Sequence, residues 1–520
     1  MESANGCLDK NIGYSILDRR NKANLRDIAH SLSHSQMRLG QTSIIHYLSS
    51  LLASALGFLA TIDIARVLGA GPLGVYTVVI ALVSWLAIAG KVGISGAISK
   101  RVSEGEDESE YALAGATVIA ALFVVIVIGV LLFRSQVVEY VGYQATWYIV
   151  LILLVALLNR LVDSLLIGLH LVHVSGVLSP VRMGGRALFQ IALIAAGAST
   201  AGLFVGHALG YLVVIAVGSF FIVRNIRTLS WPERRHFDRL VDFAKFSWLG
   251  SLQSRMFSYT DIIVLGLFVS SGLIGVYAVA WNLAQFLILF SGTLQSTLFP
   301  EMSSLSAQDN SQAISDIVER SLTFGGLFLI PGLFGGALLG HQILRIYGPE
   351  FTIGSTVLTI LIVANLFMGY QNQLLNTLNA VDRPELAFRV NAVFVATNLS
   401  LNVALIYLYG WIGAAVATAT SVAVSLVLAY YHVDAIIDFT LPVRSIAEQW
   451  VAAVVMGGVV YAGLWTERTY RVLQHNAATV VVLVLLGAGV YFTALLVLSS
   501  EFRDTVDRNV PVDLPLHSSR

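Results

Sequence analysis

The chain has 520 residues, of which 56% are hydrophobic and 12% charged, with 31 cationic and 31 anionic side chains; its mean hydropathy is +0.78. Soluble proteins carry roughly 25% charged residues, so this composition excludes a soluble globule and predicts a multi-pass protein of the cell membrane. The zero net charge provides no basic field for nucleic acid, and the single cysteine, Cys7, excludes a disulfide framework and a thiolate metal site. The sequence therefore predicts neither a cofactor nor a metal.

Apolar blocks recur about every 30 residues after a polar segment, residues 1–42, that we predict to be a cytoplasmic N-terminal tail. Each block is close to the ~20 residues that a helix needs to cross the hydrocarbon core. The pattern predicts an all-α integral membrane protein with about fourteen transmembrane helices. The predicted spans are 43–67, 74–99, 111–133, 147–169, 177–197, 201–223, 243–268, 273–299, 321–340, 355–379, 386–409, 411–432, 445–466 and 477–498.

The distribution of Lys and Arg between the loops predicts which side of the membrane each loop faces. If the N-terminal tail is inside, 21 of the 31 cations lie inside and 4 outside. Cytoplasmic loops retain such residues during insertion, so both termini are predicted to be cytoplasmic. The longest polar interruption, 224–242, then becomes a cytoplasmic linker between two helical bundles.

Two copies of one short motif indicate that the two bundles are related. Residues 71–76 read GPLGVY and residues 272–277 read GLIGVY, at an offset of 201 residues. An even number of spans separates them, so both copies have the same orientation, as in transporters whose halves are related by an axis along the membrane normal. Chance recurrence in a Gly- and Val-rich chain is the alternative.

More positive than negative charges fall inside the predicted spans. Each costs about 2.5–3.5 kcal/mol at a helix centre on insertion scales, so such residues normally face a protein interior or a wet cavity. Asp63 with Arg66, and Arg160 with Asp163, are three residues apart and can pair on one helix face. We favour a structural pair for the first and leave the second open. The cations are Arg66, Lys91, Arg160, Arg182, Arg186 and Arg255, and the acids are Asp63, Asp163 and Asp261.

The excess of three positive charges predicts a site for an anion. Arg182, Arg186 and Gln190 are four residues apart, so they share one face of the fifth span, and a polar stripe on a membrane helix indicates a lumen. Snorkelling of single side chains towards the membrane surface is the alternative. The candidates for binding a phosphate or head group are Lys91, Arg160, Arg182, Arg186 and Arg255.

Amides on several spans are candidates for contacting a hydroxyl-rich ligand. Hydrogen bonding between helices is an equally weighted alternative for them. Asp261 lacks a basic residue at helical spacing, and a lone carboxylate in a membrane span is often a proton or cation site; pairing with an arginine elsewhere is equally open. The candidates for contacting sugar are Gln190, Asn282, Asn376, Asn391 and Asn398.

Three local patterns resemble the polysaccharide-transporter family, the lipid-linked oligosaccharide and O-antigen flippases of the superfamily that also contains the multidrug (MATE-type) exporters. They are the run GFLATIDIARVLGAGPLGVY from Gly57 to Tyr76, Tyr259-Thr260-Asp261 followed by the IGVY hairpin, and LLNTLNAVDRP from Leu374 to Pro384 followed by the asparagines and the YGWIGAA turn. The resemblance implies a MATE-like, V-shaped molecule with alternating access. It implies an N-lobe over 43–223, a C-lobe over 243–432, each of six helices, an additional helix pair over 433–500 and a cytoplasmic tail over 501–520.

The same resemblance implies a transporter rather than an enzyme. The expected substrate is an (oligo)saccharide on a polyprenyl phosphate or pyrophosphate, moved from the cytoplasmic to the outer leaflet for cell-surface polysaccharide or glycoprotein assembly. The expected partners are this glycan, on an undecaprenyl or dolichyl carrier, and membrane lipids, with glycosyltransferases or a polymerase of the same pathway as further candidates. Asp261 is the candidate for ion coupling. An ion-coupled MATE-type drug exporter is the main alternative, and a membrane polysaccharide polymerase is a weaker one.

Overall fold

The computed structural model describes the backbone of residues 56–91, 93–226, 230–470, 473 and 475–509, and the side chains of these residues except 88–91, 245–258, 508 and 509. The predicted N-terminal tail, 1–42, and the side chains of Lys91 and Arg255 lie outside the described part. Every regular element within these ranges is a helix. The all-α prediction is therefore confirmed.

Eight helices make up the described part of the N-terminal half, which we call the N-lobe. The first, α1, is described over 56–68. The others are α2 (Ala70–Lys91), α3 (Ile94–Ser103), α4 (Glu108–Leu132), α5 (Arg134–Val141), α6 (Thr146–Gly168), α7 (Val172–Ala195) and α8 (Ser199–Asn225).

The C-lobe follows, and an additional helix pair packs against it through α12. The C-lobe helices are α9 (Arg234–Phe268), α10 (Ser271–Ser306), α11 (Ser311–Gly325), α12 (Leu329–Arg345), a short 3-10 helix (Pro349–Gly354), α13 (Ser355–Ala380), α14 (Pro384–Tyr409) and α15 (Trp411–Asp434). The pair is α16 (Val443–Tyr470) and α17 (Asn476–Leu498), and α18 (Ser500–Asn509) comes after it.

Each predicted span overlaps helix in the described ranges, although not all of these helices are uniformly apolar. Eleven helical segments in the described ranges are long and apolar enough to cross a membrane, with α11 and α12 counted as one segment. The three remaining predicted spans fall on α1, α7 and α9. Polar residues within α7 and within the 250–261 segment of α9 lower their hydropathy, and α1 is described only in part. A multi-pass membrane protein is confirmed, whereas the count of fourteen and the sidedness stay predictions.

Two predicted spans are interrupted by glycines. The predicted helix 74–99 is divided into α2 and α3 at Gly93, whose φ of 76° is a left-handed conformation that glycine adopts without strain. A Cβ at Gly93 would overlap the carbonyl oxygen of Ala244 on α9, so glycine is also required by close packing. Similarly, α11 ends at Gly325 before α12 begins at Leu329, and the hydroxyl of Tyr370 occupies the space beside Gly326.

The connection between the lobes is shorter than the predicted linker. Helix α9 already begins at Arg234, because Glu233 and His236 form a capping box in which the backbone N–H of Glu233 donates to Nδ1 of His236 at 2.9 Å. Nε2 of His236 lies 3.2 Å from the carboxylate of Asp107, next to the start of α4. The beginning of α9 therefore contacts the N-lobe through His236 and Asp107. Its later residues contact α14 and α15.

The repeated motifs meet where the two lobes touch. Helices α2 and α10 pack together, and a Cβ at Gly74 would overlap the carbonyl oxygen of Ser271, while one at Gly275 would overlap that of Ala70. These glycines are 201 residues apart and occupy equivalent places in the two motifs. Close backbone approach between membrane helices uses residues this small.

Candidate substrate-binding site

Close packing of α7 on α8 positions the arginine stripe. Gly206 and Gly210, one helical turn apart on α8, lie against the backbones of Gln190 and Arg186, with no space for a Cβ at either glycine. Small residues at a spacing of four allow two membrane helices to approach this closely. The face of α7 that carries Arg182, Arg186 and Gln190 is thereby held against α8.

A cationic cavity of about 260 Å³ lies inside the N-lobe. Its walls come from α2, α6, α7 and α8, with Tyr259 of α9 closing one side. Arg160, Arg182 and Arg186 all line it, so three of the five predicted head-group residues are brought together. His207 and Tyr211 of α8 also line it.

Arg182 has an acidic partner from a neighbouring helix. Its Nη1 lies 3.2 Å from Oδ2 of Asp163 on α6, and both side chains are largely buried. The Asp163 carboxylate also accepts hydrogen bonds from Asn159 and Ser175, and the guanidinium of Arg182 lies 5.8 Å from the ring centre of Tyr211. Helical spacing along the sequence could not reveal this pair, because its two members belong to different helices.

Arg186 separates two cavities. Besides the cationic cavity, it borders a central cavity of about 250 Å³ between α1, α7 and α10, which Asn282 and Gln285 also line. The Nε atom of Arg186 is buried and has no hydrogen-bond partner in the described part of the chain. A buried donor without a partner is costly, so this guanidinium is poised to bind an anion from either cavity.

An apolar groove of about 590 Å³ adjoins the central cavity. Its walls come from α1, α10, α12, α13, α16 and α17. Phe58 and Phe286 line both the groove and the central cavity, and their ring centres are 6.4 Å apart. The polar and apolar compartments are therefore neighbours separated by two aromatic side chains.

Asp261 lies in the C-lobe, in a closed set of neutral partners that we call the Asp261 cage. Its carboxylate accepts hydrogen bonds from Tyr277 at 2.7 Å, Thr418 at 2.7 Å and Asn402 at 2.8 Å. Asn398 bonds both Thr418 and Asn402. All of these side chains are buried, and Oδ1 of Asn402 has no partner within the described residues.

The predicted sugar-contacting amides lie at separate places. Asn282 lines the central cavity, and Asn398 belongs to the Asp261 cage. Gln190 donates to the carbonyl oxygen of Leu203 and Asn376 to that of Gln295, so both amides connect helices. Asn391 is half-buried and lines neither the cationic nor the central cavity.

Arg66 lies away from both cavities. Its Nε donates to the carbonyl oxygen of Ile346 at 2.6 Å, a contact between the lobes. The Nε atom of Arg66 is therefore used in this contact and not in the favoured pair with Asp63.

Two residues of the site, Tyr76 and His207, did not stand out in the sequence. The hydroxyl of Tyr76 and Nδ1 of His207 are 2.7 Å apart. Tyr76 belongs to the first repeated motif and Tyr277 to the second, so the repeat was a signal that could have pointed to Tyr76 but not to His207.

Comparisons with known proteins agree with this architecture. The family model described as "Polysaccharide biosynthesis protein" matches residues 39–306, and the MatE model matches residues 249–404. A "Probable flippase AglR" of Haloferax volcanii is 32% identical over 476 residues, which is 91% of this chain and 98% of that protein. The chain belongs to the polysaccharide biosynthesis protein family. The resemblance drawn from the sequence is thus confirmed, as is the prediction of a transporter rather than an enzyme.

A second relative from Haloferax volcanii, "Probable low-salt glycan biosynthesis flippase Agl15", is 30% identical over 82% of this chain and 90% of its own length. Among solved structures, "Lipid II flippase MurJ, inward closed conformation" superposes with a TM-score of 0.72 at 16% identity, covering 89% of this chain and all of that one. An inward-facing MATE family multidrug transporter of the MOP superfamily gives 0.58 at 14% identity, over 74% and 95%. At these identities the structures establish a fold shared with MurJ and MATE transporters.

Proposed function

We propose that the protein is a flippase for a saccharide linked to a polyprenyl phosphate or pyrophosphate, which it moves from the cytoplasmic to the outer leaflet. The observation that carries this proposal is the direct adjacency of an arginine-bordered polar cavity and an apolar groove, joined at Phe58 and Phe286. A lipid-linked sugar combines the same two chemistries in one molecule. The names of the Haloferax relatives support the same class of substrate.

In this proposal Arg186 binds the phosphate. It borders both polar cavities, and charge-assisted hydrogen bonds to a phosphate satisfy a guanidinium better than neutral groups can. Arg160 and Arg182 add positive potential in the cationic cavity, although Asp163 offsets the charge of Arg182. Lys91 and Arg255 remain candidates for the same role.

The sugar occupies the central cavity, where the side chains of Asn282 and Gln285 offer both donors and acceptors to hydroxyl groups. Because few polar side chains line this cavity at fixed positions, we expect the site to accept several sugars and not to recognise only one. The polyprenyl chain lies along the apolar groove, so the phosphate sits between the two, near Arg186. The outward direction rests on the charge bias of the loops, which places the more cationic side in the cytoplasm.

Asp261 is the site that couples transport to an ion. A carboxylate buried among Tyr277, Thr418 and Asn402 can take up a proton or a small cation, since each partner also carries an oxygen that can turn towards the ion. Oδ1 of Asn402, which has no hydrogen-bond partner among the described side chains and backbone, supports this role.

Reconstitution into liposomes tests the proposal. A fluorescent short-chain polyprenyl phosphoryl hexose is placed in both leaflets, and the rate at which the inner pool becomes accessible to a membrane-impermeant quencher is measured. We expect faster exposure than in empty liposomes, lost in Arg186→Gln and kept in Arg224→Gln, whose exposed side chain lies at the end of α8. No acceleration, together with uptake of an organic cation, would favour the drug exporter instead.

A further inference from the structure

A buried histidine forms part of the wall of the cationic cavity. The ring of His207 is 5% exposed and stacks on Tyr211, with ring centres 4.5 Å apart and planes inclined by 23°. Its Nδ1 bonds the hydroxyl of Tyr76. The proposed phosphate site uses neither side chain, so their role is open.

The surroundings of His207 are rich in positive charge. Gly210, three residues further along α8, lies directly against the backbone of Arg186, and both His207 and Arg186 line the same cavity. The titratable and charged groups around the cavity come from every helix packed there. Among the described side chains they are Tyr76 of α2, Arg160 and Asp163 of α6, Arg182 and Arg186 of α7, Tyr211 of α8 and Tyr259 of α9.

We propose that His207 is a proton-binding site linked to the substrate, and that it takes up one proton from solvent when the phosphate of the head group binds to Arg186 in the wall of the cationic cavity. This inference rests on the proposed function. It adds that the anion and a proton bind together, so that part of the head-group charge is neutralised inside the protein.

Electrostatics gives the reason for this linkage. With the cavity empty, a positive imidazolium next to Arg186 is repelled in a site with little water to screen it. A bound phosphate reverses the sign of that interaction, because an opposite charge within several ångströms favours the charged form of a group. Binding of the anion and of the proton therefore promote each other.

Tyr76 allows the proton to be accommodated without rearrangement of the helices. When Nδ1 of His207 is bare, the hydroxyl of Tyr76 donates to it. When Nδ1 carries the proton, it donates to the same hydroxyl oxygen, which can also accept. The hydroxyl hydrogen of Tyr76 then becomes available to the bound phosphate.

The other groups around the cavity are less suited to bind this proton. Near neutral pH tyrosine stays neutral and arginine stays positive, whereas histidine gains or loses its charge there. Asp163 is already engaged by Arg182, Asn159 and Ser175. His207 is thus the group in the described wall whose protonation a phosphate can most readily change.

Calorimetry on the full-length protein in lipid nanodiscs measures this proton directly. The probe is farnesyl phosphoryl glucose, a phosphodiester whose single negative charge does not change between pH 5.5 and 8. Titrations in two buffers with different heats of ionisation give the number of protons taken up on binding. We expect roughly half to one proton per lipid at pH 6.5, and an affinity that rises up to about tenfold for each pH unit of acidification where uptake is complete.

Two variants assign the proton to a residue. His207→Gln keeps a hydrogen-bonding group for Tyr76 and should bind the probe with no proton uptake and little dependence on pH. The matched control is His173→Gln, whose side chain is exposed at the start of α7 and which should behave like the wild type. Tyr76→Phe keeps the imidazole and should move half-maximal uptake to a pH lower by about one unit, because the protonated ring loses an acceptor.

The outcomes separate this inference from the proposed function. Binding of the probe by the wild type without proton uptake between pH 5.5 and 8 would overturn the inference and leave the proposed function standing. Uptake that persists in His207→Gln would also overturn it. Failure of the wild type to bind the probe at every pH would overturn both.

Discussion

Equivalent tyrosines in the two lobes bond to partners of different chemistry, a histidine in the N-lobe and a carboxylate in the C-lobe. Tyr76 in the N-lobe and Tyr277 in the C-lobe are 201 residues apart in matching motifs, and the hydroxyl of each makes one hydrogen bond of 2.7 Å. The partner of Tyr76 is His207, in the wall of a cavity that three arginines line. The partner of Tyr277 is Asp261, closed in by Thr418 and Asn402. One duplicated framework thus holds a cationic region open to a ligand and an anionic region filled by side chains.

In the proposed function, this difference gives each half a separate part in transport. In the N-lobe, space and positive charge coincide, which suits a negatively charged head group. In the C-lobe, the carboxylate is surrounded by small neutral donors, and such a cage has room for a proton or a small ion only. The shared contact of Gly74 with Gly275 lies within both motifs and joins the lobes by close backbone packing.

Reversal of the charge at Arg186 gives the largest expected effect and removes the distinction between the lobes. Arg186→Glu places a negative charge where the account requires a positive one, and a pair of unit charges about 4 Å apart interacts by roughly 4 kcal/mol at an effective dielectric constant of 20. We expect transport of the phosphoryl hexose lipid to fall at least about a hundredfold. Arg224→Glu is the control, and activity within threefold of the wild type in Arg186→Glu would contradict the assignment.

Additional methyl groups at the shared contact should be the next most damaging. Gly74→Ala and Gly275→Ala each place a Cβ onto a backbone carbonyl of the other lobe, and overpacking of this kind costs about 3 kcal/mol. The midpoint of thermal unfolding in nanodiscs should fall in both variants. Gly71→Ala and Gly272→Ala are matched controls from the same motifs, because nothing lies within 4 Å of a Cβ there. Equal midpoints in all four variants would remove the contact from the account.

Neutralisation of Asp261 should affect coupling but not substrate binding. Asp261→Asn keeps the shape of the side chain and removes the charge, so transport should no longer respond to an imposed ion or proton gradient. Binding of the lipid probe should stay within about threefold, since the cage is separate from the arginines. A large loss of binding in this variant would mean that the two regions do not divide the work as proposed.

The smallest expected effect compares the two tyrosines directly. Tyr277→Phe removes a hydrogen bond to a buried carboxylate, worth about 2 kcal/mol, whereas Tyr76→Phe removes a bond between neutral groups, worth about 1 kcal/mol. The thermal midpoint should therefore fall further in Tyr277→Phe. Equal falls in the two variants would indicate that the Asp261 carboxyl is neutral in the resting protein, and a larger fall in Tyr76→Phe would contradict the comparison.

Local features of the sequence predicted the helices well, because a membrane span is recorded in a run of apolar residues. The interruptions at Gly93 and Gly326 were missed, since one glycine among many reveals its role only when its neighbour, Ala244 or Tyr370, is known. The short helices α5 and α18 were also missed, because their apolar runs are too short for a span.

Charge and helical spacing allowed part of the site to be predicted from the sequence. The stripe of Arg182, Arg186 and Gln190 on α7 was found because its spacing is local, and two of its members line the cationic cavity. The Arg182–Asp163 pair could not be found, because it joins two helices. The sequence did not single out His207, and its importance comes from Tyr76 and Tyr211, which the fold brings beside it.

A competition between two lipids tests most directly the central claim that Arg186 selects an anionic head group. Liposomes contain a fluorescent polyprenyl phosphoryl hexose and the same lipid without its phosphate, labelled in a second colour, and both transbilayer rates are measured in one sample. The account predicts at least tenfold greater acceleration of the phosphate-bearing lipid by the wild type, and a loss of that preference in Arg186→Gln. Equal acceleration of both lipids, or an unchanged preference in Arg186→Gln, would contradict it.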